Sequence, residues 1–131
     1  MTAHIHQEIV LDAPPHRVFE AYMDSAQHAA FTGRPADIGR EGGDAFSCHD
    51  GQISGRNIDI EADARIVQAW RVAGWDPGQY SLVTLALRGE GTGTRVILDH
   101  AGVPAEAKDH IEGGWGMMYW EPLKKHLAGG V

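Results

Sequence analysis

The chain has 131 residues, of which 43% are hydrophobic, with 17 glycines, one cysteine and a formal net charge of -7. That length fits one domain, residues 1–131, whose core needs no disulfide or structural metal to hold it, and a single cysteine permits no internal disulfide. The acidic balance and the scattered arginines argue against nucleic acid and anionic membranes as partners; no apolar run reaches a membrane span and no signal-peptide pattern opens the chain, so a cytoplasmic protein without membrane insertion is expected.

Residues Ile5 to Leu11 alternate as a first strand. Asp12-Ala13-Pro14-Pro15 stops it and opens a helix, with Asp12 as the expected N-cap and Val18, Phe19, Tyr22 and Met23 at helical spacing. Asp24-Ser25 caps a second short helix over Ala26 to Phe31, and Gly33 to Gly43 reads as loop. Strands are then expected at Ala45–Cys48, Ile53–Ala62, Arg65–Val72, Tyr80–Leu87 and Thr94–Ala101, separated by turn signals such as Asp50-Gly51 and the glycine-rich Gly89–Gly93. Pro104 opens a final helix of about 24 residues, with Glu106 and Asp109 near its start, Lys124, Lys125 and His126 near its end, and Gly129-Gly130 as its stop.

Short turns between successive strands imply an antiparallel meander. The fold class is therefore α+β: a curved antiparallel sheet of six or seven strands around a long C-terminal helix, with two short helices after the first strand. One helix across a curled sheet does not fill the whole concavity, so an internal pocket is expected. Its candidate lining is Phe31, Phe46, Ile58, Trp70, Val83, Leu85, Leu98, His100, Trp115, Met118 and Tyr119, with His126 a further polar group.

Several of these residues carry a family resemblance. Ala13-Pro14-Pro15 with Val18-Phe19-Glu20-Ala21, Gly42-Gly43 with Phe46, Gly55 followed by Ile58 and Ile60, Val67 with Trp70-Arg71, Gly93-Thr94-Arg95 with Leu98 and His100, and Gly114-Trp115 follow one another in an order and spacing that resembles the activator of heat-shock protein 90 ATPase homologues. These belong to the START-like (SRPBCC), polyketide-cyclase-like superfamily. The resemblance runs from Ile5 to Leu127 and implies the helix-grip fold with an apolar cavity between helix and sheet. It does not imply one activity. The chain departs from the pattern at Ser25 and Phe31, and in the last helix, where apolar residues are usual seven and eleven places after the tryptophan. Pro122 and His126 stand there, with Leu123 and Leu127 one place later, and Pro122 is expected to kink the helix near Met118.

Candidate chemistry is sparse. His4 and His6 share a strand face, but no third ligand stands at a diagnostic spacing, so no metal and no cofactor are expected. Cys48-His49-Asp50 holds nucleophile, base and acid types, yet strand neighbours point to opposite faces, so Cys48 is expected to be a buried free thiol. His100 should face inward with Val96 and Leu98, as a histidine satisfied by a hydrogen bond near the helix. Gly113, Gly114 and Gly116 suggest close packing of helix on sheet, or room for a ligand; close packing is the simpler expectation.

The leading functional expectation is a protein that binds a small hydrophobic or aromatic molecule. The alternatives are a cyclase- or hydrolase-like enzyme using His100 and Tyr119, and a chaperone-ATPase-activator-like interaction module. Met117, Trp120 and Leu123 are expected to form an outer apolar stripe on the last helix, through which a homodimer would form.

Overall fold

The computed structural model describes residues 1–128. In chain order they form β1 (Thr2–Leu11), α1 (Pro15–Met23), α2 (Ser25–Thr32), β2 (Asp37–Ile38), β3 (Ala45–Cys48), β4 (Ile53–Glu61), β5 (Arg65–Val72), β6 (Ser81–Glu90) and β7 (Gly93–Pro104). A C-terminal helix follows: a 3-10 turn at Ala105–Ala107, α3 (Lys108–Trp115), a π turn at Gly116–Trp120 and α4 (Glu121–Ala128). The expected Gly129-Gly130 stop lies outside the described residues. This is the helix-grip architecture the sequence implied.

The seven strands form one antiparallel sheet in the order β1-β7-β6-β5-β4-β3-β2. From β2 to β7 the chain meanders. β1 instead pairs with β7, from Thr2 opposite Pro104 to Leu11 opposite Thr94, because α1 and α2 carry the chain to the far edge before β2 begins. The two-residue β2, paired with β3, lies within the stretch read as loop; two residues are too few to show an alternation.

The inner face follows the period-two pattern. Val83, Leu85 and Leu87 on β6 and Val96, Leu98 and His100 on β7 are all buried, and Trp115, Tyr119, Trp120, Leu123 and Leu127 of the C-terminal helix pack in with them. Each fully buried aliphatic side chain contributes roughly 1.5–3 kcal/mol. Gly55 lets β4 and β5 approach: a Cβ there would sit 1.8 Å from the Ala69 carbonyl oxygen, so no other residue fits. Polar groups inside are paired. The Tyr22 hydroxyl donates to Gln68, Gln68 donates to Asn57, and the Asn57 amide donates to the carbonyls of Gly39 and Glu41. Among the described residues no fully buried side-chain N or O lacks a partner.

Asp24 caps α2, its carboxylate accepting from the Gln27 amide at 3.0 Å. Asp12 does not cap α1. The cap position is Pro14, with no side-chain hydrogen bond, because Pro15 already opens the helix and leaves Asp12 too far upstream.

The C-terminal helix differs from the regular helix expected. Pro122 has no N–H for the carbonyl of Met118, and over Gly116–Trp120 the helix widens: the Glu121 amide donates to the carbonyl of Gly116, five residues back. The π turn holds one extra residue. That insertion explains the departure in the sequence, for Leu123 and Leu127, each one place late, are 2% and 3% exposed. It also turns Trp120 inward, where its indole N–H donates to Gln7 at 2.7 Å. The expected outer stripe rested on a uniform rotation of about 100° per residue. With Trp120 and Leu123 buried, only Met117 of that set is exposed, and the basis for a homodimer through the Met117/Trp120 face is gone.

Candidate functional site

Between the helix and the β4–β5 end of the sheet lies a half-open cavity of about 370 Å³. Ile53, Ile111, Met117 and Met118 give it most of its open surface, and Trp70 from β5 with Trp115 and Tyr119 from the helix back it, each only 2% exposed. The Trp70 and Trp115 rings stack with centroids 5.0 Å apart, and Tyr119 lies 4.7 Å from Trp115. Two other hollows measure about 480 and 460 Å³, but both are more open surface grooves, one beside Phe31, Pro122 and His126, the other beside Phe46, Arg56 and Ile58. Neither is backed by stacked aromatic rings, so the first is the better candidate despite its smaller volume.

Of the helical glycines, Gly114 contributes to this space. A Cβ at Gly113, Gly114 or Gly116 would meet no atom within 4 Å, and Gly114 lines the cavity. The expectation of close packing is therefore corrected: the glycines leave room.

Behind the cavity wall, Tyr119 anchors a buried cluster. Its hydroxyl lies 2.9 Å from His49 Nε2, 3.2 Å from His28 Nε2 and 3.7 Å from Cys48 Sγ. The proton positions follow from one anchor. His28 Nδ1 lies 2.8 Å from the Tyr22 carbonyl and must donate to it. Neutral His28 therefore accepts at Nε2, the Tyr119 hydroxyl donates to it, and His49 donates from Nε2 to the Tyr119 oxygen. Burial holds the cluster neutral. It pushes His28 down to about 4, helped by nearby His49 and opposed by the bond to Tyr22. It raises the Cys48 thiol to about 12 and the Tyr119 hydroxyl well above the usual range. A thiol held protonated is a poor nucleophile.

Cys48 and His49 were expected to point apart, and they do not. β3 ends at Cys48, and His49 and Asp50 adopt positive φ, 52° and 55°, which swings the imidazole back to the inner side. The Asp50-Gly51 turn signal held the clue, since such turns require left-handed residues. The donor atoms of His28, Cys48 and His49 all lie within 4.8 Å of one another, a set that suits a soft or borderline metal ion. The Tyr119 oxygen lies against all three, so an ion there has to displace the hydroxyl, and the thiol has to release its proton to solvent. His28 was missed altogether, for nothing in the pattern of α2 marks its inward face. His4 and His6 instead flank Asp99 on the exposed face, at 3.0 and 2.8 Å.

His100 is fully buried. Its Nδ1 accepts from the Trp115 indole at 3.1 Å, which fixes the proton on Nε2, donated to Ser81 at 2.7 Å. Burial lowers its pKa to about 4. Both nitrogens are engaged, so His100 orients Trp115 and has no free nitrogen facing the cavity.

Of the residues named from sequence, Trp70, Trp115, Met118 and Tyr119 meet at the cavity. Phe46, Val83, Leu85, Leu98 and His100 are buried in the core beside it. Phe31 and His126 line the groove at the helix end, where His126 lies 3.1 Å from Gln27. Ile58 is 56% exposed: it is the extra residue of a bulge between Asn57 and Asp59, and Asn57 takes the inward position. His49 and Ile53 were missed because they flank a hairpin turn, and Arg34 because it sits in a loop.

Residues 12–128 match the family described as Activator of Hsp90 ATPase homolog 1-like protein. A fission yeast (Schizosaccharomyces pombe) protein described as uncharacterised is 28% identical over 123 residues, which are 94% of this chain and 37% of that protein. The human activator of 90 kDa heat shock protein ATPase homolog 1 is 27% identical over 117 residues, 89% of this chain and 35% of that protein. The chain thus spans about a third of the length of these relatives. Among solved structures, an HSP90 activator from Plasmodium falciparum superposes with a TM-score of 0.87 at 24% identity, covering 98% of this chain and 96% of that one. CalU16 from Micromonospora echinospora superposes with a TM-score of 0.80 at 25% identity, covering 95% and 76%. The fold, the order of its motifs and the matched span agree, and the chain belongs to the Activator of Hsp90 ATPase homolog 1-like family.

Proposed function

We propose that this chain is a START-like domain that binds a small apolar or aromatic molecule between sheet and C-terminal helix. One observation carries the reading: an apolar cavity of about 370 Å³, backed by three aromatic side chains, lies against a helix whose Gly114 adds no side chain to it. Its size falls in the range of small-molecule sites, roughly 300–1,000 Å³. The enzymatic alternative through His100 and Tyr119 has less support, because their polar atoms are committed to buried partners. Native mass spectrometry of freshly purified, untagged protein tests the reading, together with titration of a neutral fluorescent naphthalene probe. A retained small molecule or single-site probe binding, weakened by Trp115→Leu in protein that still folds, is expected. Absence of both overturns it.

Family membership favours a second reading, a contact with an Hsp90-type chaperone, since relatives are named as activators of its ATPase. The chain matches about a third of those curated proteins, so the testable statement is narrow. Added to an Hsp90 from its own organism, the chain should raise ATP turnover; an unchanged rate together with no complex on gel filtration counts against it.

A further inference from the structure

The inference concerns the charge of the ligand and rests on the small-molecule reading above. The chain carries 18 acidic residues against 11 lysines and arginines, yet no aspartate or glutamate lines the cavity. The polar residues there are Arg34, Gln52, His49 and His110, and all but His49 are exposed.

Arg34 also differs from most arginines of the chain. Arg40, Arg65 and Arg95 pair with carboxylates. Arg17, Arg56 and Arg71 donate to backbone carbonyls. Among the described residues, only the side chains of Arg34 and Arg88 make neither kind of contact, and of these two only Arg34 stands at the cavity. Its charge is felt at the wall: His49 titrates below the ordinary histidine range, through burial first and the nearby Arg34 cation second.

We propose that the cavity selects aromatic acids, with the ring against Ile53, Ile111 and Met118, the packed Trp70, Trp115 and Tyr119 behind it, and a carboxylate or similar oxyanion held at the mouth by Arg34. A guanidinium fork matches a two-oxygen anion and donates two parallel hydrogen bonds. Among the described residues no carboxylate lines the cavity to oppose it locally, and salt screens the more distant repulsion of the net charge. The contact is wet, so its contribution is modest, about two- to fivefold in affinity.

Two fluorescent probes of similar size separate the possibilities: anilinonaphthalene sulfonate, an anion, and phenylnaphthylamine, which is neutral. Each is titrated into wild type, Arg34→Gln and Arg88→Gln, the last removing an unpaired arginine outside the cavity. The expected result is single-site binding of both probes to wild type, with each displacing the other. Arg34→Gln should then weaken the anion about two- to fivefold and leave the neutral probe unchanged, while Arg88→Gln changes neither. High salt should narrow the gap between wild type and Arg34→Gln, as screening requires. Neutral binding with an anion affinity that Arg34→Gln leaves unchanged, or that Arg88→Gln lowers equally, overturns the charge proposal and leaves the cavity reading standing. Failure of both probes to bind overturns both. Melting curves of the two variants, expected to match wild type, confirm that the comparison is between folded proteins.

Discussion

Trp115 and Trp120 stack on one another, ring centroids 5.3 Å apart at 22°, although five residues separate them on one helix. In a regular α-helix they would stand about 140° apart. The π turn between them brings both indoles to the sheet side, where Trp115 donates to His100 and Trp120 to Gln7. The proline that forbids one backbone hydrogen bond thus accompanies a second buried tryptophan.

Trp120 should therefore behave as a core residue. Trp120→Ala is expected to cost about 3–5 kcal/mol in urea unfolding, and Trp120→Glu at least as much, because it also buries a carboxylate. A wild type that sediments as a dimer, converted to a stable monomer by Trp120→Glu, would contradict the inward placement.

The glycines predict opposite outcomes at two positions. Gly114→Ala meets no neighbour within 4 Å and should stabilise the helix by roughly 0.5–1 kcal/mol. Gly114→Phe should also fold, yet lose probe binding, since its ring enters the cavity. Gly55→Ala should abolish cooperative folding, as its methyl would overlap the Ala69 carbonyl. Equal melting temperatures for Gly55→Ala and wild type would show that β4 and β5 separate more easily than the packing implies.

Acid sensitivity follows from two buried histidines. His28 and His100 are lowered from 6.5 to about 4 in the fold. The unfolded chain binds protons that the native state refuses between those values, so stability is full above about pH 6.5 and falls as pH drops towards 4. Each histidine contributes on the order of 3 kcal/mol across that window. Urea midpoints measured from pH 8 to pH 4.5 should fall steadily below 6.5; a flat profile would mean that both imidazoles reach water.

Metal is not expected to be required. The Tyr119 hydroxyl lies against all three donors of the His28–Cys48–His49 set, and the thiol is held protonated. Untagged protein should carry far less than one equivalent of zinc or copper after acid digestion, and chelator should leave its melting temperature unchanged. A stoichiometric ion lost in Cys48→Ser would reverse this.

The sheet was legible wherever alternation was long. β5, β6 and β7 each carry four or more alternating positions, and their inward residues Trp70, Val83, Leu85, Leu98 and His100 are all buried as the pattern required. What failed were positions where the period breaks. A bulge turned Ile58 outward, a left-handed turn brought His49 beside Cys48, and one extra helical residue moved Trp120 inward. Each break is set by backbone geometry at a single residue or turn, which side-chain periodicity does not encode. The cavity was half legible for the same reason. Trp70 and Trp115 lie on a regular strand and helix and Tyr119 in the π turn, while Arg34, His49 and Gln52 lie in loops and turns.

The π turn also absorbs one extra residue without changing which surface of the helix ending faces the protein. Removing a single residue between Gly116 and Trp120 would let the segment close as an ordinary helix, with Leu123 and Leu127 then seven and eleven places after Trp115 and still facing the sheet. Straightening the helix with every residue kept would instead carry Pro122 and His126 to the sheet and Leu123 and Leu127 away from it. Versions with and without the extra residue thus bury the same side of the eight-residue ending, whereas a regular and a π turn over the same residues bury different sides. Pairing this chain with relatives that lack the extra residue thus requires a gap inside an otherwise unbroken helix, at 116–120 and nowhere else along it.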